Sequence, residues 1–66
     1  MHLVVNGSPR QVADGTSMVQ LLVDLGLRVG SVVVEPNGTA LLRWEVEAAQ
    51  LADGDRLELV RAVAGG

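Results

Sequence analysis

Alternation of apolar and polar residues near both ends of the chain predicts two β-strands. Residues 1–5, Met-His-Leu-Val-Val, alternate about Leu3 and include two β-branched valines. In residues 56–63, Leu57 and Leu59 alternate with charged side chains. We therefore expect a strand at each end of the chain, each with one face buried.

The first strand is followed by Asn6-Gly7, which predicts a tight hairpin because both residue types accept the positive φ of a type I′ turn. A returning strand is expected over residues 10–13, with Val12 as its one clear core residue. Pro9 has no backbone N–H to donate, so it fits only near the start or at the edge of that strand.

Residues 16–25 have the spacing of an amphipathic helix. Its apolar positions recur at intervals of three and four: Met18, Leu21, Leu22 and Leu25. Thr16 or Ser17 can cap the first turn, and Ser17 with Gln20 matches a capping box. Gly26 suits a left-handed C-cap. A helix of about two turns is too short to be stable alone, so we expect it to lie across a sheet.

The middle of the chain is less regular. Residues 30–35 predict a third strand, and its unbroken run of valines at 32–34 indicates burial on both faces or an outward contact with a partner. Residues 36–38, Pro-Asn-Gly, predict a turn, and residues 39–42 a short returning strand. Residues 43–50 match neither the helical nor the strand period, which leaves their structure open.

These elements predict an α+β fold: a mixed sheet of four to five strands with one helix packed across one face. The first strand has an open side after its hairpin, and the last strand can pair there in parallel because the long intervening chain supplies the crossover. This is the β-grasp arrangement. The predicted core comprises Leu3, Val5, Val12, Leu21, Leu22, Leu25, Leu51, Leu57, Leu59 and one alternating set from Val32 to Val34.

Composition narrows the functional classes for this chain of 66 residues. It has no cysteine and one histidine, so we expect neither a disulfide framework nor a metal site. The net charge of −3 argues against a nucleic-acid partner, whose phosphates require a basic patch. No apolar run approaches the roughly 18 residues of a membrane span. We expect a cytoplasmic protein without a membrane partner.

The chain ends in Ala64-Gly65-Gly66, which carries almost no side chain to pack on a core. We therefore predict a domain over residues 1–63 followed by a flexible tail over residues 64–66. A buried strand that leads directly into a bare terminus suggests that the terminal carboxylate of Gly66 is the working group.

A docking patch for partners is predicted beside this tail. Val4 and Val60 are expected as neighbours on the outward face of the two central strands, with Glu58, Arg61 and Ala62 around them. The alternative is that these are ordinary surface side chains, since scattered exposed valines need no explanation.

The chain as a whole resembles the ThiS-type sulfur carrier proteins, a ubiquitin-like β-grasp family. The matching features are Val5-Asn6-Gly7, the helix over residues 16–25, Val32 to Val34 with the Asn37-Gly38 turn, Arg43-Trp44, and residues 53–60 leading to Ala64-Gly65-Gly66.

The resemblance implies that a partner carries out the chemistry at Gly66. An adenylating enzyme of the ubiquitin-activating type would use ATP to form an acyl-adenylate there. A sulfur donor, usually fed by a cysteine desulfurase, would convert it to a thiocarboxylate, and thiazole synthase would receive the sulfur for the thiazole of thiamine. The resemblance implies no cofactor in the chain itself.

The residues agree with a carrier that is not an enzyme. The chain has no cysteine, no lysine and only an isolated His2, so it lacks a nucleophile paired with a base. Gly65 and Gly66 have no Cβ, which lets the tail enter a narrow tunnel. Three alternatives stay open: a ubiquitin-like protein modifier, a carrier for molybdopterin or transfer-RNA thiolation, and an interaction domain with an idle tail.

Overall fold

The computed structural model describes residues 1–61 as a four-stranded sheet with two helices. The strands are β1 (His2–Val5), β2 (Ser8–Gln11), β3 (Val32–Pro36) and β4 (Arg56–Arg61), and the helices are α1 (Met18–Asp24) and α2 (Arg43–Ala48). The strand order is β2-β1-β4-β3; β1 and β4 are parallel, and both outer pairs are antiparallel. The predicted mixed sheet, with the first and last strands parallel at its centre, is confirmed.

The β1–β2 hairpin has the predicted tight turn. Asn6 and Gly7 have φ angles of 50° and 81°, both in the left-handed region that a type I′ turn requires. A two-residue turn places Ser8 directly opposite Val5, so β2 begins two residues earlier than predicted. Val12 lies beyond the end of β2 and is half-buried against the core rather than within a strand.

Helix α1 begins as the sequence predicts, with Ser17 as its N-cap. The Ser17 Oγ accepts a hydrogen bond of 3.1 Å from the backbone N–H of Gln20. The reciprocal half of the predicted capping box is absent from this helix end, because the Gln20 side chain instead donates to Asp24 Oδ1 at 2.8 Å. One side-chain capping bond therefore holds the start of α1, together with the Met18 N–H, which donates to the Ala49 carbonyl at 3.2 Å.

The other end of α1 closes in a Schellman motif. Gly26, at φ 75°, donates its N–H to the Val23 carbonyl at 2.9 Å, and Leu27 donates to the Leu22 carbonyl at 2.8 Å. Leu27 packs partly buried against the core. This motif sets the direction in which the chain leaves the helix toward β3.

The core fills the space between the inner sheet face and the helices. It contains Leu3, Val5, Met18, Leu21, Leu22, Val32, Val34, Val46, Leu51 and Leu57. Burying each large aliphatic side chain contributes about 1.5–3 kcal/mol. Val12, Leu25 and Leu59, predicted as core, are only half-buried at its margin.

One expectation for the middle of the chain is wrong, and a segment that the sequence left open has a defined structure. Residues 39–42 do not form a strand; Leu41 donates to the Val34 carbonyl of β3 at 2.8 Å, and Thr39 closes the turn by donating to the Pro36 carbonyl at 3.2 Å. Residues 43–48, whose structure the sequence left open, form a second helix, α2, in addition to the one helix that was predicted. Six residues with only Val46 buried are too few to display a helical period, so tertiary packing decides this segment. Neither α1 nor α2 is long and apolar enough to cross a membrane.

Candidate functional site

The candidate site is the carboxyl end of β4, from which the predicted tail continues. The structure describes this strand as far as Arg61. Four residues of the predicted site, Ala62, Ala64, Gly65 and Gly66, lie outside the described residues. Within residues 1–61, the fold defines the site by the way it holds β4 and by the residues that it places around the end of this strand.

Asn6 holds β4 on the side of β1. Its backbone N–H donates to the Leu57 carbonyl at 2.9 Å. Its side-chain Oδ1 accepts from the Leu59 N–H at 2.7 Å, and its Nδ2 donates to the Leu59 carbonyl at 3.3 Å. The carboxamide thus takes the place of one more peptide group of β1, and it extends the parallel pairing beyond the end of that strand.

Asn37 holds β4 on the side of β3. Its backbone N–H donates to the Arg56 carbonyl at 2.7 Å, and its Oδ1 accepts from the Arg56 N–H at 3.2 Å. The antiparallel pairing then continues to Val32, which lies opposite Arg61. From Arg56 to Leu59 the strand is held on both sides, and at Val60 and Arg61 the described pairing is to β3 alone.

The outer sheet face carries an apolar pair beside the end of β4. Val60 lies opposite Val33, and these side chains are 50% and 38% exposed. Val4 is not part of this pair, because β1 and β4 pair with Val4 opposite Arg56. Four residues of strand, or about 13 Å, separate that position from Val60. The expectation that Val4 and Val60 are neighbours is wrong, because it assumed a register that the strands do not adopt.

Two carboxylates lie next to the apolar pair. Glu58 on β4 is directly opposite Glu35 on β3. Like charges in directly opposed positions of a sheet repel each other. Within residues 1–61 the only ion pair joins the N-terminal ammonium to Asp14 Oδ1 at 3.2 Å, so neither glutamate is neutralised by a described cation within 4 Å. The outer face beside the end of β4 thus carries an apolar pair next to two carboxylates.

Arg61 belongs to the opposite face of the strand. Side chains alternate along a strand, so Arg61 shares the inner face with Leu57 and Leu59. It lines an open groove together with the loop that connects α1 to β3. The docking residues predicted as one patch are thus divided: Glu58 and Val60 lie on the outer face, Arg61 lies on the inner face, and Val4 lies some distance away.

Sequence reasoning missed two residues of this site. Asn6 was interpreted only as a turn residue, although its side chain also binds β4 at Leu59. Val33 was not placed in the docking patch, although the unbroken valine run had indicated an outward contact. No group of three or more His, Cys, Asp or Glu side chains within residues 1–61 is arranged to hold a metal ion.

Comparisons with known proteins agree on one family. The model of the ThiS family matches residues 3–66. The sulfur carrier protein ThiS of Thermus thermophilus is 36% identical over 62 residues, which cover 94% of this chain and 95% of that protein. The crystal structure of a thiamine biosynthesis protein (ThiS) from Geobacter metallireducens superimposes with a TM-score of 0.83 at 36% identity, covering 100% of both chains. The fold is the ubiquitin-like β-grasp.

Two further relatives are much longer than this chain. Thiazole synthases of Magnetococcus marinus and Paramagnetospirillum magneticum are each 33% identical over 66 residues, which cover 100% of this chain. The chain spans 20% of the length of either protein. A segment similar to the whole of this chain therefore occurs within proteins named thiazole synthase.

Proposed function

Because this chain belongs to the ThiS family, we propose that it is a sulfur carrier of thiamine biosynthesis whose reacting group is the Gly66 carboxylate. The observation that carries the proposal is the family match itself, which extends through Gly65 to Gly66. The similarity to the Thermus thermophilus sulfur carrier over nearly the full length of both proteins supports it.

The chemistry at Gly66 follows from the properties of a carboxylate. A terminal carboxyl group has a reference pKa of about 3.5, so it is ionised at neutral pH and is a poor electrophile. In the proposed first step, a carboxylate oxygen attacks the α-phosphorus of ATP and pyrophosphate leaves. In the second, a persulfide sulfur attacks the carbonyl carbon and AMP leaves. A further thiol cleaves the resulting acyl disulfide, which yields the thiocarboxylate and a disulfide.

Every catalytic group in this proposal belongs to a partner. An adenylating enzyme binds ATP, a cysteine desulfurase or another donor supplies sulfur, and this chain needs no cofactor of its own. The chain presents the end of β4 in a defined direction, because Asn6 and Asn37 bind that strand from both sides. The tail of residues 64–66 is proposed to enter the partner active sites in turn.

The outer face beside the end of β4 is the proposed docking surface for these enzymes. Val60 and Val33 form its apolar part and Glu58 its charged part. Thiazole synthase is the proposed sulfur recipient, and its support is the segment similar to this chain within two proteins of that name.

Mass spectrometry tests the proposal directly. The full chain is incubated with the adenylating enzyme of the same organism, ATP and a sulfur source. We expect replacement of one oxygen by sulfur, localised to Gly66 by fragmentation. The matched control carries one additional alanine after Gly66, which leaves the fold intact but displaces the carboxylate; we expect it to stay unmodified. An unmodified native chain, or an equally modified control, would contradict the proposal.

Genetics tests the sulfur recipient. Deletion of the gene should cause thiamine auxotrophy that added thiazole corrects. A strain that instead loses molybdopterin or thiolated transfer RNA, and grows without thiazole, would show that the recipient is a different one while leaving the carrier chemistry in place.

A further inference from the structure

An open groove of about 340 Å³ lies on the inner side of the end of β4. Its lining comes from Arg61 on one side and from the loop between α1 and β3 on the other. The lining residues are Gly26, Leu27, Arg28, Ser31 and Arg61. This groove is separate from the outer-face docking surface of Val60, Val33 and Glu58, although both border the same strand end.

The loop that carries Arg28 is held by its own hydrogen bonds. The Ser31 N–H donates to the Arg28 carbonyl at 3.0 Å, and the Ser31 hydroxyl donates to the same carbonyl at 2.7 Å. The Arg28 N–H donates in turn to Ser31 Oγ at 3.2 Å. These three bonds, after the Schellman motif of α1, position the Arg28 backbone at the groove before any partner arrives.

Positive charge is concentrated around this loop. Arg28 and Arg61 line the groove, and the Arg43 guanidinium lies over Gly30, where an added Cβ would be 3.4 Å from Arg43 Nη1. Three of the five arginines therefore surround one loop in a chain of net charge −3. Within residues 1–61 none of the three has a carboxylate within 4 Å. The cluster is thus available to an external anion.

The two sides of the β4 end differ in sign. Glu58 and Glu35 lie on the outer face, and Arg28 and Arg61 lie at the inner groove. An enzyme that accepts the tail must surround the end of β4, so its surface meets both sides. Complementary charges would favour one orientation of the carrier about the axis of its tail and disfavour the reverse, because like charges brought together at an interface repel each other.

We propose that the groove of Arg28 and Arg61 binds an acidic surface segment of the enzyme that adenylates Gly66. This inference rests on the function proposed above. The tail carboxylate and the triphosphate of ATP are both anions and repel each other, so attraction between the body of the carrier and the enzyme would offset part of that repulsion. The arginine cluster supplies attraction close to the tail, and a carboxylate matches the guanidinium fork in geometry as well as charge.

Adenylation kinetics of charge-reversal variants test this proposal. The rate of ATP–pyrophosphate exchange by the adenylating enzyme is measured against the concentration of native chain, Arg28→Glu and Arg10→Glu. Arg10 is the matched control: it is exposed on the edge strand β2, and its reversal changes the net charge by the same two units. Amide NMR spectra are compared to check that each variant is folded. If Arg28→Glu is not folded, Arg28→Gln is used in its place.

For Arg28→Glu we expect KM for the carrier to rise about tenfold at low salt while kcat at saturation is unchanged. At about 0.5 M salt the difference should shrink to a few-fold, because the screening length falls well below its value of about 10 Å at 0.1 M. Arg28→Gln should show a smaller rise in KM, and Arg10→Glu should stay within about twofold of the native chain.

Equal KM values for Arg28→Glu and Arg10→Glu, with normal exchange by the native chain, would overturn the groove proposal alone. No exchange by the native chain would overturn the proposed function and this inference with it. A titration with inorganic phosphate, followed by the Arg28 amide signal, distinguishes docking of a protein segment from binding of a small anion. Saturation below about 1 mM phosphate would indicate a small-anion site and would overturn docking of a protein segment, since solvent-exposed arginines bind free anions only weakly.

Discussion

The two Asn-Gly turns of this chain flank the same strand but hold it differently. Asn6 and Asn37 have nearly equal φ angles, 50° and 52°, and each is followed by a glycine with positive φ. Asn37 accepts one hydrogen bond from β4 with its side chain, at 3.2 Å. Asn6 both accepts and donates, and both of its side-chain bonds reach Leu59.

The difference follows from where each neighbouring strand ends. β3 pairs antiparallel with β4 along its whole length, so the Asn37 side chain adds only one hydrogen bond at the end of an already complete strand pairing. β1 pairs with β4 only through Val4 and Val5 and then turns away into the hairpin. Without the Asn6 carboxamide, the backbone of Leu59 would have no partner on that side among the described residues. Asn37 mainly closes its turn, whereas Asn6 also extends the pairing of β1 with β4 as far as Leu59, two residues before Arg61.

Replacing each asparagine by glycine should have the largest effect on stability and should distinguish the contribution of Asn6 from that of Asn37. Glycine keeps the positive φ and raises the entropy of the unfolded chain similarly at both sites. We expect Asn6→Gly to lower the free energy of unfolding by about 2 kcal/mol, because two hydrogen bonds are lost, and Asn37→Gly by about 1 kcal/mol. Urea denaturation monitored at Trp44 measures both. Equal losses would mean that the second bond of Asn6 contributes nothing.

Replacing each asparagine by aspartate sharpens the comparison. Aspartate keeps an acceptor but loses the Nδ2 donor, so Asn6→Asp places a carboxylate oxygen against the Leu59 carbonyl. We expect a loss of about 1 kcal/mol for Asn6→Asp and less than about 0.5 kcal/mol for Asn37→Asp, whose one side-chain bond is retained. Both variants add one negative charge, so general repulsion is matched. A larger loss at position 37 would contradict the hydrogen-bond assignment.

The smallest expected effect is the coupling between the two sites. Asn6 and Asn37 bind Leu59 and Arg56 respectively, three residues or about 10 Å apart along β4, and they share no partner. The losses of Asn6→Gly and Asn37→Gly should add in the double variant to within about 0.5 kcal/mol. A coupling energy above about 1 kcal/mol would show that β4 responds as one rigid unit rather than at two independent points.

The boundaries of prediction are visible in the two helices. α1 was predicted from its apolar spacing, its Ser17 cap and Gly26, all of which are local properties of residues within one segment. α2 was left open because its six residues bury only Val46 and show no period. Residues 39–42 were wrongly expected to form a strand for a similar reason. The sequence of a short apolar segment does not show whether a partner strand is free to pair with it.

The candidate site divides in the same way. The glycine-rich ending and the strand leading to it were evident from residue types, and the family match extends through them. The residues that lie beside that strand in the fold were not evident from the sequence. Val33 beside Val60, and Arg28 across the groove from Arg61, depend on which residues distant in the chain are brought together.

Sequence alone determined the local elements of this protein: two tight turns, one capped helix, and strands whose alternation shows which side chains share a face. These depend on the steric and hydrogen-bonding preferences of residues a few positions apart, which the residue types carry with them. The tertiary structure decided the register between β1 and β4, the second role of Asn6, and the separation of acidic and basic surfaces at the end of β4. A register shift of one residue reverses the face of every side chain in a strand, and only the packing of the whole core selects among the possible registers.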